Sequence, residues 1–188
     1  LLKEASMDAA VGIQPRIQPP NYEDLPPEST AIWDDQMERY GAMTTMKRTL
    51  ALSPIACESI FNLYPMIDKV ASYVGKRATL LFVYAVSSET DCLICSVYFR
   101  KHLVDSGIDP DDFELTSEED ALVEFGQAMT KNNARVPDEI YNRLGFLSDT
   151  AKVDLVVLAG LMMACNFFNN TLNVQLDDFM ASYVNKGS

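Results

Sequence analysis

The chain has 188 residues, a formal net charge of -12 and a pI near 4.4, a balance that repels phosphate backbones and argues against nucleic-acid binding. Hydrophobic residues make up 48% and charged residues 22%, which fits a globular unit able to bury a full core without staples. No apolar run approaches the roughly 20 residues of a membrane-spanning helix. Nothing resembling a signal peptide opens the chain, so the expectation is a cytoplasmic protein with no membrane partner.

Five prolines fall between residues 15 and 27. Each fixes φ and removes a donor, so residues 1–27 are expected to form an extended arm. Ile13, Ile17, Tyr22 and Leu25 give that arm apolar groups to lay on the fold or on a second subunit. Residues 28–188 are expected to form one helical domain. Ile32, Trp33, Met37 and Tyr40 recur near helical spacing before Gly41. A second helix is expected over residues 43–52, and a third opens at Pro54, with Pro65 set to kink or break it.

Residues 78–86 are apolar almost without interruption, compatible with a buried strand or a buried helix. The absence of strand signals elsewhere favours a helix. Thr90 and Asp91 are placed to cap a helix that begins at Cys92 and ends at Ser106 before Gly107 and Asp109-Pro110. Thr116-Ser117-Glu118-Glu119 is a capping box for a helix reaching about Lys131. Pro137 opens a short helix ending at Gly145, and Ser148 caps a long one over residues 149–172. The latter is apolar nearly all round from 153 to 168, hence central in the fold or in a subunit interface. A short helix over residues 177–185 should close the chain.

The chemistry-bearing feature is Cys92-Leu93-Ile94-Cys95. At i, i+3 on a helix both sulfurs share one face, and the free N–H groups of a first turn favour a thiolate. Cys57 and Cys165 lie in apolar helical patterns and read as small buried hydrophobes. One Cys-x-x-Cys supplies only two metal ligands, so neither a metal nor another cofactor is expected. The methionines read as core filling, and Asn169-Asn170-Thr171 as a chance glycosylation sequon.

Taken together, residues 80–87 leading into the cysteine pair, the helix start at Leu115-Thr116-Ser117-Glu118-Glu119, and Val153 to Val157 leading into Asn166-Phe167-Phe168-Asn169-Asn170 resemble the AhpD-like, carboxymuconolactone decarboxylase family. The resemblance covers most of residues 45–178 and implies an all-α, AhpD-like helical bundle. It further implies a thiol-dependent peroxidase or disulfide reductase. Cys95 would attack the peroxide and Cys92 would resolve the sulfenic acid, with an external dithiol as electron donor. It also implies a homo-oligomer. The family pattern has a histidine where this chain has Phe99 and a glutamate where it has Leu80. His102 and Glu89 are the substitute proton carriers the sequence offers, with Asp91, Tyr84 and Tyr98 as further candidates. A second reading, motivated by Phe99 and Leu80, is a binding or oligomeric scaffold that has lost the chemistry. Lactone decarboxylation, the broader family's other activity, finds no identifiable acid–base site.

Overall fold

The computed structural model describes residues 14–110 and 114–184, with the side chain of residue 132 excepted. Among these the chain is all-α, as expected. In order the helices are α1 (Pro27–Tyr40), α2 (Thr45–Leu50), α3 (Pro54–Phe61), α4 (Leu63–Val74), α5 (Lys76–Glu89), α6 (Leu93–Asp105), α7 (Ser117–Met129), α8 (Asp138–Asn142) and α9 (Asp149–Leu172). Short 3-10 turns occupy Tyr22–Asp24, Asn132–Ala134 and Asp178–Tyr183.

Helix α5 is the centre. Every residue from Ala78 to Ser88 is buried, because α4, α6, α7 and α9 pack around it. That is why its sequence shows no amphipathic period: a helix covered on all sides needs no polar face. Phe82, fully buried, stacks on Phe125 of α7 with ring centroids 6.4 Å apart. The two helices approach closely enough that a Cβ on Gly126 would lie 3.1 Å from the Phe82 ring. The capping box of α7 forms as read: the Thr116 N–H donates to Glu119 Oε2 (2.9 Å) and the Glu119 N–H to Thr116 Oγ1 (3.2 Å). Arg77 of α5 donates to the same Glu119 carboxylate at 2.8 Å, tying the cap to the central helix.

Several boundaries differ from expectation for local reasons. Helix α2 begins at Thr45, two residues late, because Thr44 is the first side chain able to accept from the exposed turn, here the Lys47 N–H at 3.3 Å. The break between α3 and α4 falls at Asn62, which leaves Pro65 in the first turn of α4, where no backbone donor is required. The closing segment is a 3-10 turn rather than the helix expected over 177–185; residue 185 and Ile13 of the arm lie outside the described residues. Asp177, the natural cap, instead accepts from the Thr45 N–H (2.9 Å) and hydroxyl (2.7 Å).

From residue 14 onward the arm runs along its own chain. The Arg16 N–H and guanidinium donate to the carbonyls of Leu172 and Thr171, both at 2.9 Å. Arg48 of α2 holds the carbonyls of Pro19 and Pro20. Leu25 packs with Leu50, Ala51 and Cys57 in a small second core.

Helix α9 corrects one reading. At 24 residues it is long and apolar enough, by length and composition, to cross a membrane, although no single run in the sequence reached that length. It packs instead on α4 and α5, burying Leu155, Leu158, Ala159 and Met162, together with Asn166 and Asn169, on the inner face. Val153, Val156, Val157 and Phe167 are exposed.

Candidate active site

The site begins where α5 stops. The Thr90 hydroxyl donates back to the carbonyls of Val86 (3.2 Å) and Ser87 (3.0 Å), closing α5. Asp91 then reverses the chain in the left-handed region at φ +50°. Neither residue caps α6, contrary to the sequence reading. The capping position is Cys92 itself, in extended backbone, with its N–H on the Ser87 carbonyl at 3.2 Å. The Ile94 and Cys95 N–H groups face the Cys92 sulfur without closing a conventional cap bond.

Helix α9 supplies the other half. Asn166 donates to Thr90 Oγ1 at 2.7 Å and Asn170 to the Thr90 carbonyl at 3.0 Å, clamping the loop ahead of the pair. Asn169, buried to 1% exposure, directs its Nδ2 at Cys95 Sγ (3.2 Å), Met46 Sδ (3.4 Å) and Cys92 Sγ (3.9 Å). The Oδ1 atoms of Asn166 and Asn169 are buried without a partner. Burial of Asn169 also removes the sequon from use in the folded chain.

The two thiols are made unequal by their own contact. The Cys95 thiol donates to Cys92, and that bond, aided by backbone N–H groups and Asn169, pulls Cys92 below the ordinary thiol range against the opposing effect of burial. Cys95 is pushed well up by the same hydrogen bond, by burial and by the charge on Cys92. Burial raises Cys57 to about 11 and Cys165 to about 12, leaving both as inert thiols at neutral pH. All four cysteines are free.

Cys95 lies on the wall of a cavity of about 280 Å³, whereas Cys92, fully buried, sits behind it. Tyr40, Lys47, Tyr64, Tyr98, Phe99 and His102 share that wall. His102, a candidate by default as the only histidine, therefore does share a cavity with Cys95. Its ring meets Tyr98 edge-on at 4.6 Å, and burial, reinforced by the Lys101 charge, lowers its pKa and keeps it neutral at physiological pH. Glu89 is not brought to the pair's cavity and is held by Lys131 at 3.2 Å. Tyr84 is buried in α5 off the cavity, and Tyr98 is on it with its phenol raised, chiefly by burial. Phe99 and Leu80 are buried at 3% and 6% exposure, so two apolar groups occupy the positions of the resemblance's acid–base residues.

Sequence reasoning missed three asparagines and a lysine. Asn166, Asn169 and Asn170, spaced i, i+3, i+4 in an otherwise apolar helix, were a readable signal for a polar function on one face. Lys47 gave no such signal. It is 6% exposed, donates to Gln36 Oε1 at 2.7 Å and lies over the Tyr40 ring at 4.1 Å. Burial lowers its pKa from 10.5 to about 8, with a smaller opposing pull from Asp35. The folded chain thus releases this proton earlier than the unfolded one, and the cost of the buried charge is fully present below pH 8 and relieved as pH rises towards 10.5. Gln36, Tyr40, Phe61 and Tyr64 face the ammonium, and Asp35 is the nearby charge. Thermal unfolding of Lys47→Met beside the parent at pH 7 and pH 10 should show the parent gaining stability relative to the variant at the higher pH.

No family model and no curated protein sequence matches the chain. Solved structures do. An AhpD-core, peroxidase-related protein from Ralstonia eutropha JMP134 superposes with a TM-score of 0.69 at 19% identity, covering 88% of this chain and 94% of that one. An Agrobacterium tumefaciens protein of unknown function, proposed as an AhpD antioxidant defence protein, gives a TM-score of 0.59 at 21% identity over 66% of this chain and 92% of its own. The debrominase Bmp8 gives 0.72 at 15% identity over 89% and 95%, and its cysteine-to-alanine variant is known in complex with 2,3,4-tribromopyrrole. At these identities the likeness is one of architecture, and it places the chain in the AhpD-like fold.

Proposed function

We propose that this protein is a thiol-dependent hydroperoxide reductase working through Cys95 and Cys92. The observation that carries the reading is the pair itself: Cys95 on the cavity wall, Cys92 directly behind it, and Asn169 donating towards both sulfurs. Once the pair has lost one proton, the remaining one lies between the sulfurs. Moving that proton onto Cys92 makes Cys95 the thiolate at the cavity. Cys95 attacks the terminal oxygen of R–O–O–H, the O–O bond breaks, and the alkoxide leaves, taking a proton from solvent or from the Tyr98 phenol. The Cys92 thiol then displaces water from the Cys95 sulfenic acid to give the disulfide. The sum is dithiol plus hydroperoxide to disulfide, alcohol and water. An external dithiol restores the pair by exchange. Four free cysteines suit a cytoplasmic setting, where thiols are kept reduced.

Shared use of one proton by two sulfurs is what allows the site to work with Phe99 and Leu80 in place of acid–base residues. Asn169 is the positioning residue. Replacing it by leucine should raise the pH at which the pair first ionises and slow peroxide consumption at least about ten-fold at pH 7, the scale of losing a hydrogen bond to a charged group. The loss should be recovered in large part near pH 9.5. A uniform loss at all pH values would make Asn169 merely structural.

The scaffold reading draws on the same burial that raises Cys95. It predicts thiols that label slowly at neutral pH, whereas the redox pair labels fast and loses reactivity on oxidation. A debrominase with this architecture makes a bromoarene the natural control substrate. For the assembled state, the exposed valines of α9 and Phe167 offer the surface for a homo-oligomer. Sedimentation of Val157→Lys should show a smaller species than the parent.

A further inference from the structure

Among the described residues, Lys47 is a buried cation without a buried anion. Among those residues its three ammonium donors have one oxygen partner, Gln36, and otherwise three aromatic faces, Tyr40 at 4.1 Å, Tyr64 at 5.1 Å and Phe61 at 5.8 Å. Asp35, the acid that acts on it electrostatically, is bonded to Arg39 at 2.7 Å. Taking an ammonium out of water is costly unless an opposite charge and further acceptors meet it. The aromatic faces offset part of that cost, and two donors remain for a ligand.

The same cavity joins this cation to the cysteine pair. Lys47 and Cys95 are both on its wall, with Leu63, Ile94, Phe99 and Met162 supplying apolar surface. Met46, next to Lys47 on α2, touches Asn169, which touches Cys95, so the two ends are linked through one side chain. A volume of about 280 Å³ is at the small end for ligand sites. A peroxide of two oxygens would leave most of it empty.

We propose that the cavity takes a small organic hydroperoxide carrying a carboxylate, with the carboxylate on Lys47, the apolar body against Leu63 and Met162, and the O–O bond at Cys95. This specifies the substrate class of the peroxidase reading and rests on it for the reacting end alone. Lys47 acts in binding, and its charge selects acids over neutral molecules of the same shape.

The test separates the two ends. In Cys95→Ser, calorimetric titration with para-isopropylbenzoate should show binding that is at least about ten-fold stronger than that of the isosteric para-isopropylbenzamide, the scale of one charge-assisted hydrogen bond. Adding Lys47→Met should remove that preference while leaving amide binding unchanged, and Lys47→Arg should retain most of it. Unfolding curves on each variant establish that it is folded. Equal binding of acid and amide, or a preference that survives Lys47→Met, overturns the proposal. Kinetics on the parent then address the reacting end: the carboxylated analogue of cumene hydroperoxide should be consumed with a lower KM than cumene hydroperoxide itself. A Lys47-dependent acid preference in a protein that consumes neither peroxide would leave the anion site standing and overturn the peroxidase reading.

Discussion

Cys95→Ser is expected to lower hydroperoxide consumption, assayed with a dithiol reductant, by about three orders of magnitude or more, as when a covalent nucleophile is removed from an enzyme. A serine hydroxyl is not ionised by the forces that act on the pair, and it cannot form the sulfenic acid that stores the transferred oxygen. Cys92→Ser should fail differently. Cys95 remains on the cavity wall, so one equivalent of peroxide is still reduced, but the sulfenic acid has no resolving thiol and proceeds with excess peroxide to sulfinic acid. The expected signature is a burst limited to about two equivalents of peroxide, one for each oxygen added to the sulfur, followed by inactivation and slower than the parent's first turnover because the proton acceptor behind Cys95 has gone. Cys57→Ala should leave consumption unchanged, since that thiol is buried in the separate core beneath the arm. Full activity in Cys95→Ser would remove Cys95 from the mechanism.

The largest effect on stability is expected at Phe82→Ala. Phe82 is fully buried at the crossing of α5 and α7, stacked on Phe125 and in close contact with the face of Gly126. Removing the ring loses its transfer free energy and leaves a cavity walled by helices held on several sides, so collapse is restricted. About 3–5 kcal/mol is the cost of such truncations, a large part of the stability of a typical domain. Denaturant unfolding should show a lower midpoint at an unchanged slope. A loss below about 1 kcal/mol would mean that α5 is not the rigid centre on which the cysteine loop is mounted. Because α5 ends at the Thr90 turn that precedes Cys92, the same variant should also loosen the pair and slow its oxidation.

How far the sequence reached can be traced residue by residue. The α7 capping box and the Ser148 cap of α9 were legible because both ends of each interaction lie within one turn. The helical state of residues 78–86 rested on the absence of strands elsewhere, since a run covered on every side carries no period. The cap of α6 was misplaced because Thr90 and Asp91 are the better capping residues in isolation, yet Thr90 is claimed by the end of α5 and by Asn166 and Asn170. Competition of that kind is set by tertiary packing.

The site was half legible for the same reason. Cys92 and Cys95 are close in the chain, and their spacing alone suggested a pair. His102 lies seven residues after Cys95 along α6, and only the fold of α2 and α4 over that face puts both groups on one cavity. Glu89 lies near the pair in sequence but is held by Lys131. Lys47 lies 48 residues before Cys95 and Asn169 lies 74 after it. No local pattern could assign them to it.

The central claim, that Cys95 and Cys92 form a redox couple driven by hydroperoxide, is tested most directly by adding one equivalent of cumene hydroperoxide to the reduced protein and mapping its peptides by mass spectrometry without reductant. The account predicts a peptide containing Cys92 and Cys95 that is lighter by two hydrogens, with Cys57 and Cys165 still alkylated as free thiols. A protein in which that peptide keeps both thiols after peroxide has been supplied, or in which another pair carries the disulfide, would contradict it.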